Sequence, residues 1–188
     1  MPRSAKLIII SGPSQVGKDV VVQGLLKNKE LNLVMAVTCT SREKRPEEVE
    51  GVNHHFVSPE EFQKLIKQDF FLEWAPVRDR YFGTPRQQVL NLLAQGKNVI
   101  LKIDVRGAKQ VKERFPEALT IFIMPDSLDN LKARMIKKGF SEEQMKIRWQ
   151  ETLNEIEGSK EYDYRVINEE GKLEQTVSRV IDIIKKNS

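Results

Sequence analysis

A glycine-rich loop between an apolar run and a helical pattern is the feature that most constrains this chain. The loop, Gly12-Pro13-Ser14-Gln15-Val16-Gly17-Lys18, has the complete spacing G-x-x-x-x-G-K and directly follows Leu7-Ile8-Ile9-Ile10. A strand, a loop of this spacing and a helix form a P-loop, whose backbone N–H groups and lysine bind phosphates. The sequence therefore predicts a nucleotide-binding α/β fold, and an ordinary glycine-rich strand-to-helix turn is the alternative.

The residues after the loop lysine depart from the usual P-loop pattern. Asp19 stands where the hydroxyl of a Ser or Thr normally binds magnesium, and Val20 follows it. A carboxylate at this position either binds the metal itself, points away, or repels the phosphates. We therefore expect Mg²⁺ as the cofactor and take Asp19 as one candidate ligand.

Composition favours a single globular domain with room for an inserted lobe. The 188 residues are 39% hydrophobic and 31% charged, without a repeat. The net charge of +4 comes from 31 basic and 27 acidic residues spread along the chain, so we expect no nucleic-acid partner. No apolar run is long enough to cross a membrane, and we expect a cytoplasmic protein. Cys39 is the only cysteine, which excludes an intramolecular disulfide, and we expect it to be buried.

Hydrophobic periodicity predicts alternating strands and helices, and hence a parallel sheet flanked by helices. We expect strands over 6–10, 33–40, 51–57, 98–104, 119–124 and 164–168, the last at an edge, and a turn over 81–85. We expect helices over 17–28, 59–67 with Ser58 as its N-cap, 86–93, 108–114, 127–135, 141–157 and 173–186.

Charged residues at four places are candidates for a site. Arg42 and Arg45 lie three apart in a polar segment and suit a phosphate dianion, although a solvated turn has the same pattern. Glu73 interrupts a dense apolar run and needs a partner, either an arginine or the donor edge of a purine. Asp104 ends a central strand, where it could bind magnesium, water or a ribose hydroxyl, or simply cap a helix or form a salt bridge. A cationic helical hairpin around Gly139 could close over a polyphosphate, or be merely exposed.

Taken together, these segments resemble guanylate kinase over essentially the whole chain. The resemblance rests on the order and spacing of short motifs, none of which would suffice alone. They are Ser11-Gly12-Pro13-Ser14 with Gly17-Lys18, Thr40-Ser41-Arg42-Glu43-Lys44-Arg45-Pro46 with Glu48 and Gly51, Phe56-Val57-Ser58, Phe71-Leu72-Glu73-Trp74-Ala75, Tyr81-Phe82-Gly83-Thr84-Pro85, and Ile103-Asp104 with Gly107.

The resemblance implies a P-loop NTPase core with an inserted GMP-binding lobe and a helical lid. The core would comprise about 1–34, 84–125 and 158–188, the lobe about 35–83 and the lid about 126–157. It implies an ATP:GMP phosphotransferase whose small-molecule partners are ATP and GMP, acting as a monomer or homodimer.

The resemblance also implies roles for individual residues. Lys18, Arg42, Arg134 and Arg148 would be catalytic, and Asp19 and Asp104 would be candidate metal ligands. ATP would contact the loop residues Gly12, Pro13, Ser14, Gln15, Val16, Gly17, Lys18 and Asp19, the lid residues Arg134 and Lys138, and Asn168. GMP would contact Thr38, Arg42, Arg45, His54, Glu73, Phe82, Thr84 and Asp104, with Thr38, Glu73 and Thr84 reading guanine.

Several residues depart from the family pattern and keep two other functions open. Gln15 replaces a loop glycine, His54 and Phe82 replace tyrosines, and Lys102 replaces an acidic residue. A non-catalytic module that binds phosphopeptides through Arg42 and Arg45 is one alternative. A kinase for another small phosphate acceptor is the other.

Overall fold

The computed structural model of the protein describes residues 5–187 and contains two β-sheets surrounded by helices. The strands are β1 (Leu7–Ser11), β2 (Leu33–Met35), β3 (Thr38–Thr40), β4 (His54–Phe56), β5 (Phe71–Val77), β6 (Arg80–Pro85), β7 (Asn98–Lys102), β8 (Leu119–Pro125) and β9 (Tyr164–Asn168). The helices are α1 (Lys18–Leu26), α2 (Pro59–Lys67), α3 (Arg86–Ala94), α4 (Val105–Arg114), α5 (Leu128–Lys137), α6 (Glu142–Gly158) and α7 (Leu173–Lys186), with short 3₁₀ turns at Lys29–Leu31 and Ser159–Glu161.

The larger sheet is parallel and has the strand order β2-β7-β1-β8-β9. Its central strand β1 is buried along its length, because Ile8 and Ile10 pack on one face with α1 and α7 while Leu7 and Ile9 pack on the other with α3 and α4. The parallel sheet flanked by helices is thus confirmed, with β9 at the predicted edge. Parallel strands place their carboxyl ends at one edge, where open α/β sheets bind ligands.

The smaller sheet has the order β4-β3-β6-β5 and corrects the prediction of one strand over 33–40. That segment forms two strands, β2 in the larger sheet and β3 in the smaller one. Between them the Ala36 N–H donates to Ile100 O at 3.2 Å and the Val37 N–H to Gln88 Oε1 at 2.8 Å. These bonds divert the chain from one sheet to the other, which hydrophobic periodicity does not reveal.

The turn predicted over 81–85 is also wrong, because these residues belong to β6, which pairs antiparallel with β5. The chain reverses earlier, at Arg78, whose φ is +60°. Gly83 lies within β6, where its neighbours leave no room for a side chain. A Cβ at this position would come within 2.9 Å of Phe71 Cδ1. Glycine often indicates a turn in a sequence, but at this position it is required because the neighbouring residues pack closely against the backbone.

Two further local expectations are confirmed, whereas the strand expected over 51–57 is shorter, at His54–Phe56, and the helix expected over 108–114 begins earlier, at Val105. The Ser58 hydroxyl accepts from the Glu61 N–H at 3.1 Å and caps α2, which spans the predicted residues. Cys39 is buried, and burial raises the pKa of its thiol to about 11. Within residues 5–187, no helix combines the length and the apolar character needed to cross a membrane.

Candidate active site

A cavity of about 670 Å³ lies at the carboxyl edge of the larger sheet and reaches the smaller sheet. Residues from several parts of the chain line it, and eight of the predicted nucleotide-binding residues are among them. The P-loop and α1 contribute Gly12, Lys18 and Asp19, and the smaller sheet contributes Thr38, His54, Glu73 and Phe82. Lys102 at the end of β7 lines it too, as do Ile103 and Asp104; the strand predicted over 98–104 stops at Lys102, because Asp104 caps the next helix.

The P-loop has the backbone that its glycines permit. Gly12 has φ +152°, and a Cβ there would lie 2.5 Å from the carbonyl oxygen of Ile123. Gln15, where the family pattern has glycine, takes a left-handed φ of +65°. The Lys18 ammonium donates to Pro13 O at 2.9 Å and also to the Gly12 carbonyl, and burial lowers its pKa. The Lys18 ammonium therefore contacts the backbone of the same loop that would bind a phosphate.

Asn168, at the end of β9, supports the loop from behind. Its side-chain N–H donates to Val16 O at 2.8 Å. The residue is 7% exposed, and its buried Oδ1 has no hydrogen-bond partner among the described residues. Gly17 faces it so closely that a Cβ would lie 2.6 Å from Asn168 Nδ2. Asn168 thus fixes the loop through its side-chain N–H.

The two predicted metal ligands are both engaged by protein groups. Asp104 caps α4 by accepting from the Gly107 N–H at 2.9 Å, and it pairs with Arg106 at 2.8 Å. Asp104 therefore forms both the helix cap and the salt bridge that were the alternatives to a ligand-binding role, and it also lines the cavity. Asp19 forms an ion pair with Lys102. Residues 5–187 contain no cluster of three His, Cys, Asp or Glu side chains arranged for a metal ion. The donor set does not fit a metal held by the protein alone.

Glu73 is a buried carboxylate whose hydrogen-bond partner is a threonine. The Thr84 hydroxyl donates to Glu73 Oε1 at 2.5 Å, and Glu73 is 4% exposed. Burial raises the pKa of Glu73 to about 7, and the nearby Asp104 charge adds to the rise. Its other oxygen lies against Gly107, where a Cβ would come within 2.6 Å. Because Gly107 has no side chain, the Glu73 carboxylate can occupy this space.

Arg42 and Arg45 line a second recess, of about 190 Å³, together with Arg78 and Arg80. Arg42 binds both carboxylate oxygens of Glu48, one of them at 2.6 Å, and holds the pKa of Glu48 down at about 2. Four guanidinium groups around one recess suit a phosphate dianion. Arg45 is exposed and can turn toward a ligand without breaking the ion pair between Arg42 and Glu48.

His54 and Thr38 line the main cavity and contact each other. The Thr38 hydroxyl and His54 Nδ1 are 2.6 Å apart, and the Phe82 ring lies edge-on to His54 at 5.8 Å between centroids. Burial lowers the pKa of His54, and the Arg42 charge lowers it further. The neutral imidazole is thus favoured, and it can donate one hydrogen bond.

Arg134, Lys138 and Arg148, the three cations predicted for a lid, lie on α5 and α6 or at their junction, and none lines the main cavity in the described part of the chain. Arg134 pairs with Glu170 at 3.5 Å and Asp126 at 3.8 Å. Arg148 lies 3.8 Å from the Phe140 ring centroid, and its buried Nε has no hydrogen-bond partner among residues 5–187. Lys138 caps the carboxyl end of α5.

Sequence reasoning missed Glu155, which projects from α6 into the main cavity. Burial raises its pKa to about 7, while the Lys18 charge opposes the rise. No local pattern marks this residue, because its place depends on how α6 docks. Arg78 and Arg80 were also missed, although two arginines beside a hairpin reversal were a visible signal.

A P-loop at the carboxyl edge of a parallel sheet, facing a smaller sheet with a buried carboxylate and an arginine-lined recess, defines a nucleotide-binding protein of the P-loop class. The family model described as guanylate kinase matches residues 4–187, and the chain belongs to this family.

Similar proteins agree with that assignment. A guanylate kinase of Caldanaerobacter subterraneus is 42% identical over 179 residues, covering 95% of this chain and 85% of the relative. One of Oceanobacillus iheyensis is 43% identical over 180 residues, covering 95% and 86%. The crystal structure of guanylate kinase from Anaplasma phagocytophilum has a TM-score of 0.79 at 30% identity, covering 99% of this chain and 88% of that one. The SH3-kinase fragment of tight junction protein 3 has a TM-score of 0.54 at 13% identity and covers 99% of this chain and 60% of that one, which shows a shared fold alone.

Proposed function

We propose that the chain transfers the γ-phosphoryl group of ATP to GMP, and to dGMP, giving ADP and GDP in the main cavity. The observation that carries this proposal is that the P-loop lysine Lys18, at the start of α1, and the buried acceptor Glu73, in the smaller sheet, line the same cavity. A phosphate-binding loop and a base-reading carboxylate in one space suit transfer between two nucleotides. Residues 35–83 would form the GMP-binding lobe, 126–157 the lid, and the remaining segments the core.

Glu73 would select guanine. In its ionised form the carboxylate accepts from guanine N1–H and the N2 amino group, an arrangement that adenine does not offer. The Thr84 hydroxyl already donates to one of its oxygens and fixes the orientation. Thr38 would read the base beside it, Asp104 would contact the ribose, and Arg42 and Arg45 would bind the phosphate, with His54 and Phe82 adjoining.

The transfer needs no protein nucleophile, because an oxygen of the GMP phosphate attacks the γ-phosphorus in line. Lys18, Arg42, Arg134 and Arg148 would offset the charge on the transferred group, and Lys138 would contact the ATP phosphates. Mg²⁺, bound mainly by the ATP phosphates and water, would neutralise further charge. Because the lid cations lie outside the main cavity, they would act only after a closing movement of α5 and α6.

The test is ADP production from ATP and magnesium with GMP, dGMP, AMP, UMP or CMP as acceptor. We expect turnover with GMP and dGMP alone, and loss of most turnover in Lys18→Ala with retained folding. Turnover with another acceptor would favour a different substrate class. Folded protein without turnover, which binds phosphopeptide through Arg42, would favour the non-catalytic module; membership of the guanylate kinase family does not favour that outcome.

A further inference from the structure

Two departures from the family pattern contact each other in the main cavity. Asp19 is the second residue of α1 and Lys102 is the last residue of β7, so 83 residues separate them in the chain. The Lys102 ammonium donates to Asp19 Oδ1. Both residues line the cavity that also contains Lys18.

The position of this ion pair suits electrostatics at the loop better than stabilisation of the fold. The Asp19 side chain is 74% exposed and that of Lys102 37% exposed, and ion pairs this accessible contribute little to folding. Their opposite charges lie in the same cavity as the loop lysine. The two charges therefore oppose each other at the place where phosphates would bind.

A carboxylate directly after the loop lysine is unfavourable for a polyanionic ligand. Negative charges within a few ångströms repel each other even through partly aqueous surroundings. An ammonium in direct contact cancels that field at the distance of the phosphates. The loop could therefore tolerate Asp19 because β7 ends in a lysine.

We propose that Lys102 is a positioning residue of the P-loop, which holds the Asp19 carboxylate at the end of β7 and neutralises it so that the loop binds the phosphates of ATP. This inference rests on the proposed function, since it takes ATP as the ligand. It assigns a joint role to two residues that look like separate defects in the motif.

The test is a double-mutant cycle on nucleotide binding with Lys102→Met, Asp19→Asn and both together. Affinities for ATP and for adenosine are measured by calorimetry at low salt with EDTA, so that only the protein neutralises the phosphates. The ATP titrations are repeated at high salt and, separately, with magnesium. Lys102→Arg is the conservative variant. Lys109→Met, which removes an exposed lysine from α4, is the matched control. Thermal melting checks that each variant is folded.

We expect Lys102→Met to weaken ATP binding about tenfold, with the loss shrinking in high salt, and to leave adenosine binding unchanged. Asp19→Asn should restore the affinity in the double variant, and Lys102→Arg should retain it. An equal loss in the presence of Asp19→Asn would mean that Lys102 binds phosphate directly, and the proposal would be wrong. Tighter binding of ATP with magnesium by Lys102→Met would assign Asp19 to the metal and would also overturn it.

The two proposals fail separately. Wild-type protein that binds ATP but shows no turnover with GMP would refute the proposed function and leave the cycle interpretable. ATP binding that does not respond to Lys102→Met would refute this inference alone.

Discussion

Replacing Glu73 by Gln should remove a pH-dependent loss of stability. The carboxyl has a pKa of about 7 in the folded protein against an ordinary value of 4.5, because burial disfavours its charge. A raised carboxyl pKa contributes stability that is fully present below the unfolded value and is lost as pH rises through the folded value. The two pKa values differ by about 2.5, and at about 1.4 kcal/mol per pH unit this corresponds to a total loss of between about 3 and 4 kcal/mol in the free energy of unfolding.

The assay is urea unfolding of wild type and Glu73→Gln at about pH 5.5 and about pH 8.5, an interval that contains about 2 kcal/mol of that loss. As pH rises over this interval, the free energy of unfolding of the wild type should fall by this amount relative to that of Glu73→Gln. The Glu155 carboxyl, whose pKa is also raised to about 7, contributes to both proteins and cancels in the difference. Any fixed cost of the buried amide also cancels, because it does not change with pH.

Ligand binding gives an independent check on the same carboxyl. Guanine would need the ionised form, so the affinity for guanosine should fall about tenfold per pH unit below the pKa of Glu73. Guanosine is the better probe than GMP because it carries no phosphate that titrates. Asp104→Asn should lower the pKa of Glu73, because it removes a nearby negative charge, and should move the pH dependence of guanosine affinity to lower pH. Parallel stability curves for wild type and Glu73→Gln would refute the reasoning.

Four further substitutions have definite expected outcomes. Gly107→Ala should weaken GMP binding at least about tenfold, because the new Cβ would lie 2.6 Å from Glu73 Oε2, while calorimetry with ATP shows unchanged affinity and thermal melting shows intact folding. Gln15→Gly should raise the free energy of unfolding by about 0.5–1 kcal/mol by relieving a left-handed backbone, and Asn32→Gly should raise it less because asparagine tolerates that conformation. Asn168→Ala should raise the KM for ATP, because the loop loses a buried hydrogen bond, and an unchanged KM would mean that the loop holds its shape without it.

The sequence was sufficient for features that depend on local chemistry. The P-loop, the buried strand before it and the cap at Ser58 follow from residues within one short segment, and the structure contains all three. The parallel sheet followed from the alternation of strands and helices. The split of 33–40 between two sheets did not, because the apolar pattern of β2 and β3 is continuous and only bonds to distant residues divert the chain.

The site shows the same division between local and distant causes. Glu73 could be singled out because an acid within an apolar run must be buried, and burial requires a partner. The identity of that partner, Thr84, required the register of β5 on β6. Asp19 and Lys102 each violate the family pattern when considered alone, and only their contact suggests that one compensates for the other. When two residues of opposite charge each depart from a motif, their contact in the fold should therefore be considered before either is counted as evidence against activity.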